Sequence, residues 1–179
     1  MKTFALSLTS AAIAIAGFTA PVHAAGTSTG ALEVTATVDP YCQVSTTPVN
    51  FGNYRPDGNT VFTTGKLTLT CTKNTTPTLV RLDLGKNADT GTARRMLGLG
   101  ADGQPADTLA YELYKPTADN ACPETSVDVW GNDQDTGLSV DSVILGGDSK
   151  EISVCGKLAA GQFVSPDVYA DTVTASVDF

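Results

Sequence analysis

Four cysteines, Cys42, Cys71, Cys122 and Cys155, are the side chains best suited to covalent chemistry, and no two of them form a C-x-x-C pair. An even count at wide spacing, in a chain whose first residues read as an export signal, predicts two disulfides rather than free or metal-bound thiols. Three pairings are possible. The sequential one, Cys42 with Cys71 and Cys122 with Cys155, is preferred because each bond then staples neighbouring strands. Closing a loop of about 30 residues stabilises by roughly 3–4 kcal/mol in the chain-entropy picture.

Constellations for catalysis are thin. The only histidine, His23, falls in the segment expected to be cleaved, so the mature chain has no Ser-His-Asp triad, Cys-His dyad or His-ligated zinc. Most aspartates sit beside Gly, Asn or Pro, where turn formation explains them better than a glycosidase carboxylate pair. Asp133-Gln134-Asp135-Thr136-Gly137 starts like a calcium loop but lacks the third ligand and the closing Glu, so a solvated turn is expected. Gly98-Leu99-Gly100 has no Gly-Lys-Ser/Thr after it and reads as a hairpin turn. Arg94-Arg95 are adjacent strand residues that face opposite ways, an ordinary surface pair rather than an anion site. Trp130, the only tryptophan, is expected in core or interface packing, with sugar stacking as its alternative use. Asn74-Thr75-Thr76 matches the N-glycosylation pattern, which is short enough to recur by chance. No enzyme, cofactor or metal is expected.

Lys2, the apolar run from Phe4 to Phe18 and the small-residue site Val22-His23-Ala24 predict a signal peptide over residues 1–24. That run is too short and wrongly flanked to span a membrane, so an exported product without membrane insertion is expected. Removing the signal leaves ten Lys and Arg against nineteen Asp and Glu, a net charge of −9. With no basic stripe to displace counterions from phosphates, nucleic acid is excluded as a partner. The remaining 155 residues suit one domain.

Strand signals recur along the body, and helix signals do not. Short runs rich in Val, Leu, Thr and Tyr fall at Val49–Tyr54, Val61–Cys71, Thr78–Leu84, Leu109–Tyr114, Val127–Trp130, Leu138–Leu145, Glu151–Cys155 and Asp171–Phe179. Turn clusters such as Pro56-Asp57-Gly58-Asn59, Asp102-Gly103-Gln104-Pro105 and Gly146-Gly147-Asp148 separate them. Leu67, Leu69 and Cys71 alternate, as do Leu109, Tyr111 and Leu113, and Val173, Ala175, Val177 and Phe179. One apolar face per strand is what an antiparallel sheet packed on a second sheet requires. The expected fold is all-β, an immunoglobulin-like sandwich, with a jelly roll or small barrel as the alternative.

Outside this body, Leu32, Val34, Ala36 and Val38 also alternate, just ahead of Asp39-Pro40-Tyr41-Cys42. Seven residues at 3.3 Å each make a strand of roughly 23 Å. Burying Leu32, Val34 and Val38 is worth roughly 5–9 kcal/mol in all. Ordering the strand costs about 1–2 kcal/mol per residue, so the exchange favours a groove already formed. The body's last alternating run ends on Phe179, which suggests an open sheet edge for such a strand to fill.

The order of these pieces resembles the spore coat protein U domain, found in Csu-type, or archaic, chaperone-usher pilus subunits. The resemblance runs from the N-terminal extension and Cys42 through Phe51-Gly52-Asn53-Tyr54, Leu67 to Cys71-Thr72, Arg95-Met96, Tyr111-Glu112-Leu113-Tyr114 and Trp130-Gly131 to Tyr169-Ala170-Asp171-Thr172-Val173 and on to Phe179. It implies an incomplete immunoglobulin-like sandwich completed by a donated N-terminal strand. Leu32, Val34, Ala36 and Val38 would be the donor residues, Cys42–Cys71 a disulfide between the first two strands, and Val173, Ala175, Val177 and Phe179 one flank of the acceptor groove. The implied partners are a periplasmic chaperone, an outer-membrane usher and other copies or paralogous subunits of a surface pilus serving adhesion and biofilm formation. The division expected is a signal over 1–24, a donor extension over 25–41 and the sandwich over 42–179. The family's compact Gly-x-Tyr-x-Asp is stretched here, with Val164 to Val168 between Gly161-Gln162-Phe163 and Tyr169-Ala170-Asp171. A secreted monomeric carbohydrate-binding sandwich using Trp130 is the competing reading.

Overall fold

Leu67, Leu69 and Cys71 alternate with Thr68 and Thr70, and the apolar side of this strand is sealed. The computed structural model describes residues 25–89, 93–100, 107–140 and 149–179. The expected signal peptide and the turn clusters at 102–105 and 146–148 lie outside them. The chain divides into two units, with residues 25–36 in one and Thr37–Phe179 in the other.

Among the described residues the second unit is all strand and no helix: β1 (Cys42–Thr47), β2 (Val61–Cys71), β3 (Leu79–Leu82), β4 (Arg94–Gly98), β5 (Thr108–Tyr114), β6 (Leu138–Ser139), β7 (Ser149–Leu158), β8 (Tyr169–Ala170) and β9 (Ala175–Asp178). A six-stranded sheet runs β1-β2-β7-β5-β4-β8 and a three-stranded sheet runs β6-β3-β9, every pair antiparallel. Leu67, Leu69, Leu109, Leu113, Ile152 and Val154 from the first sheet pack in one core with Val80, Leu82, Trp130 and Val140. Two sheets joined through one apolar layer make a sandwich rather than a single closed barrel.

Several expected runs differ in extent. Val49–Tyr54 is no strand: Pro48 has no N–H to give, and Gly52 turns at φ +67° with its N–H on Asn50 Oδ1. The segment instead crosses the inner face of the larger sheet, where a Cβ on Gly156 would stand 2.5 Å from Val49 Cγ1 and one on Gly65 2.7 Å from Val49 Cγ2. Val127–Trp130 is reduced to one bridge, Tyr114 to Val129. The run from Asp171 to Phe179 is shortened to Ala175–Asp178, because the chain leaves the larger sheet after Ala170 and joins the smaller one only at Ala175. β4 was not among the expected runs.

Two amides continue ladders where strands diverge. Gln162 Nε2 donates to Ala110 O while its Oε1 accepts from Ala110 N, taking the place β7 would hold had it continued beyond Leu158. Asn120 does the same for β7, accepting from Ser153 N and donating to Glu151 O.

Candidate strand-acceptor cleft

Both disulfides follow the sequential pairing, and Cys42 and Cys71 lie directly opposite each other on β1 and β2. The first bond therefore fixes β1, whose outer edge has no partner strand among the described residues. The same holds for the outer edge of β9. β1 and β9 run close together without pairing, one at the border of each sheet.

A cleft of about 390 Å³ opens between the sheets here. Thr46, Thr47 and Val49 form one side, Tyr169 to Val173 and Ala175 the other, and Leu67, Leu82, Met96, Leu113 and Val154 the apolar interior. A second cleft of about 660 Å³ shares Pro48, Val49, Phe51, Met96 and Tyr169 with it and continues along Leu109, Leu158 and Val164. Val173, Ala175 and Val177 are half-buried against the core, while Phe179 is exposed. Of the four residues expected to flank a groove, Val173 and Ala175 line the cleft.

No strand covers residues 25–41. Leu32, Val34 and Val38 are 87%, 84% and 79% exposed, and Ala36 is exposed too. Strict alternation of exposed apolar residues gives the run one apolar side, which the described residues leave unburied.

The passage from β8 to β9 forms one wall of the cleft and is held by carboxylates. Asp83 N donates to Thr174 O, and Asp83 Oδ1 accepts from Thr174 N and Gly85 N. Asp171 Oδ1 accepts from Lys86 N, Asn87 N, Asn87 Nδ2 and Thr172 N, while its Oδ2 accepts from the Tyr111 hydroxyl at 2.7 Å. Burial pushes the Asp83 carboxyl up, but the hydrogen bonds from Thr174 and Gly85 and the nearby Arg94 outweigh it and leave its pKa below the usual value. Burial, then the bond to Asp171, lifts the Tyr111 hydroxyl well above the phenol range, so it stays a donor.

Arg94 corrects the expectation of a surface pair. It is fully buried, donating to the carbonyls of Leu82, Asp83 and Trp130, and burial lowers its pKa. Arg95 faces the other way and pairs with Asp89. Trp130 is fully buried as well, its indole N–H on Val80 O, which removes the sugar-stacking use on which the monomeric binder relied. In the calcium-like loop, Asp133 Oδ1 accepts from Asp135 N, Thr136 N and Thr136 Oγ1, the work of a turn. The stretched segment before Tyr169 is pinned by Ser165 N on Asp107 Oδ2 and Gly100 N on Asp167 Oδ2.

Leu82, Met96 and Phe51 in the cleft, and Asp83 beside it, were not among the site residues expected from sequence. The glycine at position 85 was the one local signal near the polar wall, and in the structure it turns the chain at a φ of +83°.

An all-β immunoglobulin-like sandwich with an apolar cleft between two unpaired borders is the class that fold and site define. The spore coat protein U domain family matches residues 28–176, and the chain belongs to that family. It is 32% identical over 191 residues to "Protein U" of Myxococcus xanthus, an alignment covering 100% of this chain and 98% of that protein. It is also similar, at 25% identity and a TM-score of 0.54, to a chain in the crystal structure of the CsuC–CsuE chaperone–tip adhesion subunit pre-assembly complex from the archaic chaperone-usher Csu pili of Acinetobacter baumannii. That match covers 80% of this chain and 40% of the solved one.

Proposed function

We propose that the chain is a structural subunit of a surface pilus assembled by the chaperone-usher pathway through donor-strand exchange. Residues 1–24 direct export, 25–41 carry the donor strand, and 42–179 form the acceptor sandwich. Leu32, Val34, Ala36 and Val38 of one copy enter the cleft of another copy or a paralogous subunit. Main-chain bonds to the borders of β1 and β9 give affinity, and alternate side chains fill the apolar interior. A periplasmic chaperone holds the cleft until an outer-membrane usher delivers the next subunit, and the finished fibre serves adhesion and biofilm formation. The reading assigns the chain no reaction.

The observation that carries it is the apolar cleft between two unpaired borders in a chain that also exposes an unburied strand face. The family match and the likeness to a chain of a chaperone–subunit complex support the same reading.

Val34→Asp tests it. A carboxylate at the centre of the run must be desolvated on entry, which costs several kcal/mol. Unheated electrophoresis of the wild type is expected to show a ladder that collapses on boiling, and the variant is expected to run as a monomer. A ladder that survives Val34→Asp, or deletion of Ala25 to Val38, removes the donor strand from the account.

A further inference from the structure

An apolar cleft between two sheets tends to close, since bringing its walls together removes them from water. Something must hold the walls apart while the cleft waits. Residues 171–173 form one wall as the chain passes between sheets, and the position of this passage is set by hydrogen bonds rather than by strand pairing.

Asp171 is the node. Its Oδ1 gathers the N–H groups of Lys86, Asn87 and Thr172 together with the Asn87 amide, and its Oδ2 takes the Tyr111 hydroxyl from β5 on the facing sheet. One carboxylate thus joins the passage, the loop after β3 and the floor of the cleft, and Asp171 and Tyr111 both line that cleft. The loop is shaped for it: a Cβ on Gly85 would fall 1.9 Å from Asp171 Oδ2, at a backbone φ of +83°. All five partners are donors, so an amide in place of the carboxylate would turn its own N–H groups toward at least one of them.

Resting on the donor-strand reading above, we propose that Asp171 is a positioning residue for strand acceptance: clamped in the loop after β3 and by Tyr111, it keeps the cleft open in a subunit that has not yet received a strand. Folding of the sandwich core does not require the clamp, whereas entry of the strand does.

The test uses the full mature chain carrying Val34→Asp, so that its own run does not compete, and a fluorescent synthetic peptide of residues 28–40. Association and dissociation are followed by anisotropy, and folding by circular dichroism and the intact disulfides. Losing a charge-assisted hydrogen-bond node is expected to slow association per folded molecule by about tenfold or more in Asp171→Asn, with dissociation changed far less. Tyr111→Phe, which removes only the hydroxyl, is expected to slow it by about threefold to tenfold. Unchanged association in a folded Asp171→Asn overturns the clamp, as does a variant whose melting temperature falls while its uptake rate stays the same. Should Asp171→Asn fail to fold, unchanged association in Tyr111→Phe overturns it alone. If the parent chain takes up no peptide at all, it is the donor-strand reading that fails.

Discussion

Arg94 and Asp83 show how single charged groups hold this sandwich. The Arg94 guanidinium satisfies carbonyls from two separate stretches of chain, and Asp83, beside it, fastens the passage between sheets. The folded pKa of Asp83 lies below the ordinary 3.8, so its ionised form is favoured by folding. Its contribution is complete above that ordinary value and is lost as pH falls through the lower folded one. Glu112 has the opposite sign: burial raises its pKa, so its contribution is present below its ordinary value and lost as pH rises through the folded one. The urea midpoint is therefore expected to fall on acidification below about pH 4, and Asp83→Asn to flatten part of that decline. A decline equally steep in Asp83→Asn would mean that this carboxylate does not contribute. The four cysteines were legible as disulfides because count, spacing and export signal agree. The burial of Arg94 was not, because it depends on where Leu82, Asp83 and Trp130 bring their carbonyls together, and no local pattern encodes that.

Strands with a clean alternation were legible as elements. β2 and β5 fall where Leu67 to Cys71 and Leu109 to Leu113 place them. Arg94 and Arg95 were read as strand residues, but β4 was given no run of its own because Arg94 takes an inward position that a binary pattern reserves for an apolar residue. Val173 keeps the alternation of Ala175 and Val177 although it lies in the passage before β9, so the sequence showed a longer strand than the chain forms. The amide splices belong to this scale. In Gln162→Ala the N–H and C=O of Ala110 lose their partners, so a loss of about 1–2 kcal/mol is expected in urea unfolding. Faster amide exchange at Ala110 should accompany it. A variant as stable as the parent would show that water replaces the amide at no cost.

For the whole molecule, the sandwich class and the need for an open border could be read from alternation and resemblance, but strand order could not. That order is set by long-range pairings such as β2 with β7, which join residues far apart in sequence. The cleft was legible only as a requirement, since its walls come from seven separate stretches of chain. The two disulfides close loops with separations of 29 and 33 residues, so their loss acts on the unfolded chain as well as on local contacts. Replacing Cys122 and Cys155 with Ser is expected to lower unfolding free energy by about 3–4 kcal/mol, read by urea titration, while leaving the ladder on unheated gels intact. Loss of the ladder in that variant would place the second bond in assembly as well as in folding.

The Cys42–Cys71 bond sits four residues beyond the end of the proposed donor run. In a fibre under tension, load arriving through Asp39 and Pro40 would reach the body at this bond and pass straight to β2, which is flanked by β1 and β7. β1 could not then be peeled from the rim one hydrogen bond at a time. The pull would instead be shared as shear along the long β2–β7 ladder, the arrangement best able to bear force.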